Sequence, residues 1–504
     1  MNVNADQQET PEPWAGCSET HVAVVYFAGD RAVKLKKPVA LGFLDFTTRE
    51  ARRDACRSEV DLNRRFAPDV YLGVGDVRDE SGAVVDHLVL MRRMPVRRRL
   101  SDLVRAREPV EDALRDVARM LAVWHAKAPR GPQIDRHGTR DSLRGRWTDS
   151  ITQVRALPPP ITDRASEAVD EIERLTLDYL GGREELFAGR IRDGRIVDGH
   201  GDLIADDIFC LDDGPRVLDC LEFDDALRRL DGLDDAAFLA MDLERLGAPV
   251  LAEEFLCRYV EFSGDPAPTS LWHHYVAYRA FVRAKVALMR SAQGDHRSAP
   301  LAHEYCDLAL RHLRAGAVRL VLVGGLPGTG KTTVAGGIAD SLGTTLLSTD
   351  RLRKENAGLG PEETADSSMY APERVAANYD ALLARARALL DRGESVVLDA
   401  TWGAAEARSE AVRLAHETGA ALTQIQCTAP ETVAARRLAS RRGGWSDADV
   451  SVAQALARGF AAWQDAAVLD TEAPADECLT RALALVRPTA ASRVFARRSL
   501  MEPD

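Results

Sequence analysis

The sequence predicts two folds in tandem: an α+β bilobal unit, strand-rich and then helical, followed by an α/β unit built on a parallel sheet. Three observations carry this. Residues 21–95 alternate apolar and polar side chains at the period of a strand, as in His21-Val-Ala-Val-Val-Tyr-Phe27 and Arg31-Ala-Val-Lys-Leu-Lys36. From about residue 111 the apolar side chains recur at helical spacing. From about 316 short strands and helices alternate around a glycine-rich loop, Gly325-Leu-Pro-Gly-Thr-Gly-Lys-Thr332, a pattern that gives parallel strands covered by helices.

Element by element, residues 1–20 are polar, carry two prolines and read as a loose tail. Strands follow, interrupted by one helix over about Thr48 to Phe66, and further strands lie around 70–94. Glu111 to Lys127 places Leu114, Val117, Ala118, Leu121 and Trp124 on one helical face. Pro158-Pro-Pro160 marks a loop, a long helix precedes a strand-rich island at 190–224, and helices return over about 230–315. The last region reads as strands and helices in turn at 318–323, 331–342, 345–349, 375–392, 395–400, 405–419 and 421–427. The domain boundaries follow: a tail to 20, a small lobe over 21–95, a helical lobe over 96–315, the α/β domain over 316–490 and a tail over 491–504.

Composition narrows the classes. The 504 residues, 45% apolar and 29% charged, suit an ordinary globular protein of several folding units. Eight cysteines contain no C-x-x-C pair and no metal-ligand cadence, which predicts a reduced, cytoplasmic setting. The N-terminus lacks the basic and apolar regions of a signal peptide, and no uncharged apolar run approaches 18 residues, so no membrane partner is expected. A net charge of −12 argues against a nucleic-acid-coating protein. From residue 318 onward 21 Lys and Arg stand against 24 Asp and Glu, so the last region carries no basic excess of its own.

The loop at 325–332 is a full match to G-x-x-x-x-G-K-[ST], preceded by the strand Val318–Val323 and followed by a helix. Gly325, Gly328 and Gly330 let successive backbone N–H groups, with those of Thr329 and Thr333, face phosphate oxygens at a positive helix N-terminus. Lys331 would reach the outer phosphates and the Thr332 hydroxyl would hold Mg²⁺, so ATP with Mg²⁺ is the expected ligand. Beyond the loop, Asp350 closes a second strand and can orient or deprotonate a hydroxyl, and Arg353 can hold an anionic part of the acceptor. Asp399 ends the buried strand Ser395–Asp399 as an outer-sphere Mg²⁺ carboxylate. Arg437 and Arg441, one turn apart, would belong to a lid over the transferring phosphate. This order resembles the P-loop kinases akin to polynucleotide kinase, gluconate kinase and zeta-type toxins.

The first region carries its own constellation. His200-Gly-Asp202, then Asp207, then Asp219 after an apolar strand, supply a hydroxyl-orienting carboxylate and two Mg²⁺ ligands at kinase spacing. The run resembles the H-G-D-x-x-x-x-N loop and metal aspartate of the aminoglycoside-phosphotransferase-like kinases, in the branch where that domain is fused to a P-loop domain. The resemblance implies a protein-kinase-like fold over about 20–315, with Lys34 on the third strand and Glu59 as its ion-pair partner. Val89–Met94 sits where the family has its hinge, and Leu121-Ala-Val-Trp-His-Ala126 resembles its Leu-x-x-x-His-Ala stretch. Two departures stand out: Asp207 replaces the usual Asn and Ile204 the His that often follows Asp-Leu. Aspartate is a competent hard-oxygen ligand, although it adds charge to an acidic site. Lys36 and Lys37 read as solvated strand-end residues.

The leading expectation is a bifunctional ATP-dependent phosphotransferase, each domain acting on a hydroxyl of a small molecule. A regulatory ATPase with a silent kinase-like domain, and a polynucleotide-end kinase, are the alternatives. The sequence specifies neither acceptor nor oligomeric state. If Asp350 serves the acceptor, Asp350→Asn should leave nucleotide affinity nearly intact and lower kcat by roughly 10²–10⁴. Steady-state kinetics beside nucleotide titration separates this from a metal-binding or structural role.

Overall fold

The computed structural model describes residues 13–20, 22–41, 44–159, 161–360, 363, 371–440 and 445–486. They pack as two compact units, one made of the chain up to His137 with Gly194–Asp265, the other of Gly138–Asp193 with the chain from Pro266.

In the first unit, β1 (Ala15–Glu19), β2 (Ala23–Ala28), β3 (Arg31–Lys36), β4 (Tyr71–Arg78) and β5 (Val84–Arg92) form an antiparallel sheet in the order β1-β2-β3-β5-β4. The helix α1 (Arg49–Asn63) starts where the Thr48 side chain accepts from Ala51 N at 3.1 Å. Cys56 and Val60 of α1 meet Ala32, Val89 and Met91 of the sheet in one apolar core. Helices Glu111–Lys127, Gly232–Arg245 and Pro249–Ser263 and the hairpin Ile208–Leu211/Gly214–Val217 complete the unit. The helix over Glu111–Lys127 buries Leu114, Val117, Ala118 and Leu121 as its periodicity predicts. One expectation is corrected: part of the supposed loose tail is β1, paired Ala15↔Ala28 to Glu19↔Val24. All five of its residues are exposed, so backbone hydrogen bonding holds the strand and no apolar pattern announces it.

The second unit is built on a parallel sheet. Strands β6 (Arg319–Gly324), β7 (Thr345–Ser348), β8 (Val396–Asp399), β9 (Ala421–Thr428) and β10 (Ala467–Asp470) lie in the order β7-β8-β6-β9-β10. Val321, Val323 and Val397 are buried on the sheet beneath Val334 and Ile338 of the helix α2 (Lys331–Leu342). Parallel strands covered on both faces read as continuous apolar runs, which is why these segments were legible.

The second compact unit also takes in helices that precede residue 316. Helices Arg140–Arg155, Ile161–Gly181, Thr269–Ala292 and Ser298–Ala315 belong with the parallel sheet. The reason lies at the end of the sheet where its strands begin. Arg183, with no exposed surface, donates from Nη1 to Gly182 O at 2.9 Å and to Thr418 O at 2.5 Å. Its guanidinium lies 5.3 Å from the Tyr179 ring centroid, a cation–π contact. Ser270 Oγ donates to Gly393 O at 2.6 Å, and Arg314 forks onto Glu171 at 3.0 and 2.6 Å. Among the described residues no helix is long and apolar enough to cross a membrane, and the eight cysteines are free thiols.

Among the described glycines, an added Cβ would come nearest to another main chain at Gly182, 1.9 Å from Thr418 O. Gly182→Ala should therefore destabilise the second unit by roughly 3 kcal/mol, since neither main chain can move away cheaply. Chemical denaturation of the variant against the parent measures it.

Candidate active sites

On the first unit, strand alternation puts Ala32, Lys34 and Lys36 on one face of β3. Opposite them α1 presents Glu59, which has no exposed surface. Lys34 Nζ lies 2.8 Å from Glu59 Oε1 and 2.9 Å from Asp219 Oδ1. The predicted Lys34–Glu59 pair is thus formed. Lys36 corrects an expectation: it is not solvated but 2% exposed, donating to Glu59 Oε2 at 2.7 Å and Glu222 Oε1 at 2.8 Å. Its place two residues from Lys34, on the same face, was the available signal. Burial opposes the charge of both lysines, but the surrounding carboxylates prevail and hold them firmly protonated.

The H-G-D loop is held from below by Asp235, which sequence reasoning missed. This buried carboxylate accepts from His200 N at 2.7 Å and Gly201 N at 2.9 Å, with His125 Nε2 3.1 Å away. Burial alone would raise its pKa; the His125 hydrogen bond and charge, His200 and the backbone donor together bring it well below the carboxylate range. Burial keeps the His200 imidazole neutral, so its Nε2–H donates to Leu218 O at 3.0 Å. Farther along, Asp242 accepts from Ala205 N at 2.9 Å and positions the turn that carries Asp207.

Asp219 occupies the left-handed region at φ +61°, a strained setting for a non-glycine residue of the kind found at functional sites. Its N–H donates to the Tyr71 hydroxyl at 3.2 Å, and the next N–H, of Cys220, to Asn63 Oδ1 at 2.9 Å. Lys34 above all keeps Asp219 ionised. Asp207 goes the other way: burial, then Asp219, Asp202 and Asp206, push its carboxyl well above the usual range. Hard oxygen donors crowded by like charge fit a divalent cation. Among the described residues no three His, Cys, Asp or Glu could hold an ion alone, so ligand or water oxygens would complete the shell.

On the second unit the loop leaves β6 with φ +142° at Gly325, +84° at Gly328 and +80° at Gly330, conformations that favour glycine. Lys331 opens α2 and is 8% exposed, while Thr332 and Thr333 stand exposed on its first turn. Thr332 Oγ1 donates to Asp399 Oδ2 at 2.8 Å. Burial raises the Asp399 carboxyl against the pull of Lys331 and of the Thr332 and Ser348 hydroxyls, and its buried Oδ1 has no hydrogen-bond partner of good geometry among the described residues. An orphaned carboxylate oxygen beside a threonine hydroxyl fits a hydrated Mg²⁺.

Asp350 sits in the first turn of helix Thr349–Asn356 and accepts from Arg353 Nη2 at 2.6 Å. Tyr379, unsuspected from sequence, accepts from Trp402 N at 2.9 Å; burial raises its phenol to about 12. Trp402, just beyond Asp399, is itself left-handed at φ +55°. Arg437 does reach the loop, but its Nη2 donates to Thr471 O at 2.7 Å, and its Nη1 to Thr471 Oγ1 at 3.2 Å and Gly328 O at 3.5 Å. Thr471, also missed, braces the loop by donating to Thr329 O at 2.7 Å. Arg441 lies outside the described residues.

The chain thus carries a lysine–glutamate–aspartate cluster on an α+β unit and a phosphate-binding loop on a parallel-sheet unit. Residues 320–463 match the profile of a family described as an AAA domain. The uncharacterized protein Rv2004c of Mycobacterium tuberculosis is 45% identical over 477 residues, covering 94% of this chain and 95% of that one, and Mb2027c of Mycobacterium bovis matches equally. The chain belongs to the family of these mycobacterial proteins. Solved structures similar to parts of it include a choline/ethanolamine kinase family protein from Mesorhizobium loti (14% identity, 61% of this chain, 94% of that chain, TM-score 0.37). Another is the Mycobacterium tuberculosis APS kinase CysC in complex with AMPPNP and APS (23% identity, 34% of this chain, 99% of that chain, TM-score 0.27).

Asp235→Asn should loosen the H-G-D loop and destabilise the first unit by roughly 3 kcal/mol around neutrality. A depressed folded pKa adds stability that is complete above the unfolded value and lost as pH falls through the folded one. The gap between parent and variant should therefore shrink only below about pH 3.9, which denaturation curves across pH test directly.

Proposed function

We propose that the protein is a bifunctional ATP-dependent phosphotransferase, with one site on each unit and a small-molecule hydroxyl as each acceptor. The observation that carries this reading is Asp350, close enough to Asp399 for its charge to act on that carboxyl, an acceptor-type carboxylate that a nucleotide switch would not need. In the transfer, the acceptor oxygen bonds the γ-phosphorus as the bond to the β–γ bridging oxygen breaks, and the hydroxyl proton leaves to a carboxylate. On the second unit Asp350 takes that role and Arg353 holds it in place; on the first, Asp202 does so, carried by the loop that Asp235 fixes. Lys331 and Lys34 offset charge on the phosphates. Asp207 and Asp219 in one site, and Thr332 with Asp399 in the other, would hold Mg²⁺, which neutralises developing phosphate charge when bound. Arg437 and Arg441 serve as lid residues in this reading.

The full chain should accordingly bind two Mg·AMPPNP by calorimetry. Lys331→Ala should remove the second unit's site and Asp219→Ala weaken the first unit's, each leaving the other intact. Binding at the P-loop alone would make the first unit a scaffold.

A further inference from the structure

Five charged side chains of the first unit form an unbroken series of ion pairs. Asp219 meets Lys34 at 2.9 Å, Lys34 meets Glu59 at 2.8 Å, Glu59 meets Lys36 at 2.7 Å, and Lys36 meets Glu222 at 2.8 Å. The series starts and ends on one segment, Asp219 to Glu222, and passes through β3 and α1. In protein kinases the strand-lysine to helix-glutamate pair and the metal aspartate must both be in place for transfer. In this chain the same charges bind the two together.

Lys36 does more than fill space. Its side chain is almost wholly buried, 5.1 Å from the Phe46 ring centroid, with a carboxylate on either side. A lysine clamping only Glu59 would explain α1, and one clamping only Glu222 would explain the segment; Lys36 does both. Asn63 runs parallel to it, donating from Nδ2 to Glu59 O at 2.9 Å and accepting from Cys220 N. Lys34 is the member open to a ligand, because its other partner, Asp219, is exposed. If phosphates draw Lys34 from Asp219, Glu59 still has Lys36, and no buried carboxylate is stranded.

We infer that Lys36 and Glu222 are positioning residues that lock α1 and the Asp219 segment into one pre-assembled state, so that Asp219 is held ready for a divalent cation while Lys34 is released to the nucleotide. This rests on the reading of the first unit as a nucleotide site.

The test uses the full chain carrying Lys331→Ala, so that AMPPNP binding reports on the first unit. Calorimetry over a series of Mg²⁺ concentrations gives the half-saturating Mg²⁺ and the Mg²⁺-free affinity; thermal melting without ligand gives Tm. Glu222→Gln should raise the half-saturating Mg²⁺ about tenfold, leave Mg²⁺-free AMPPNP binding unchanged and lower Tm. Lys36→Met should do the same, and Lys36→Arg, which keeps the charge, should rescue it. Should Lys36→Met fail to fold, Glu222→Gln and Lys36→Arg still decide the question. An unchanged Mg²⁺ requirement in Glu222→Gln, or equal weakening with and without Mg²⁺, overturns the inference and leaves the nucleotide site standing. A folded Lys331→Ala chain that binds no AMPPNP overturns the nucleotide reading itself, and the inference with it.

Discussion

A carboxylate without exposed surface must be matched by a cation or by N–H donors, and that one constraint organises both sites. Glu59 is answered by two lysines, Asp235 by two backbone donors and a histidine, Asp399 by a threonine hydroxyl with one oxygen left over. Each answer fixes an element whose position matters for chemistry: α1 against β3, the H-G-D loop against the helix Gly232–Arg245, the phosphate loop against β8. Leaving such a group unmatched costs about 3–5 kcal/mol, a large share of the stability of a domain.

The two sites meet this constraint differently. The first uses full charges on interlocked side chains and leaves Asp207 crowded by other carboxylates. The second relies mostly on backbone: glycine conformations, a helix N-terminus, and Thr471 bonded to Thr329 O. A site of paired side-chain charges takes its shape from its own counter-ions, whereas a site of main-chain groups takes it from the backbone. Left-handed Asp219 and Trp402 belong to the same theme, since both hold strained backbone beside a carboxylate of interest.

Much of this was legible in the sequence because period and spacing are local properties. The boundaries of α1, of the helix Glu111–Lys127 and of the strands β6–β9 fell within a few residues of their apolar patterns. Lys34, Glu59, Lys331 and Asp399 carried motif or strand-end signals. What escaped was long-range or unpatterned. Asp235, Tyr379 and Thr471 act on loops far away in sequence, and β1 has no buried face. A lysine at a strand end is usually solvated, and the acids that hold Lys36 come from α1 and from a segment far along the chain, so its same-face spacing from Lys34 was the one local signal.

The contact between Gly182 and Thr418 bears on how the chain can be taken apart. Helices that precede residue 316 in the chain pack at the end of the parallel sheet where its strands begin, with the Arg183 guanidinium sealed against Thr418. A P-loop cassette cut out at residue 316 would lose these helices and expose the apolar flanks of Thr269–Ala292 and Ser298–Ala315. The folding unit is thus discontinuous in the chain, and a cut at residue 316 would separate residues that pack together.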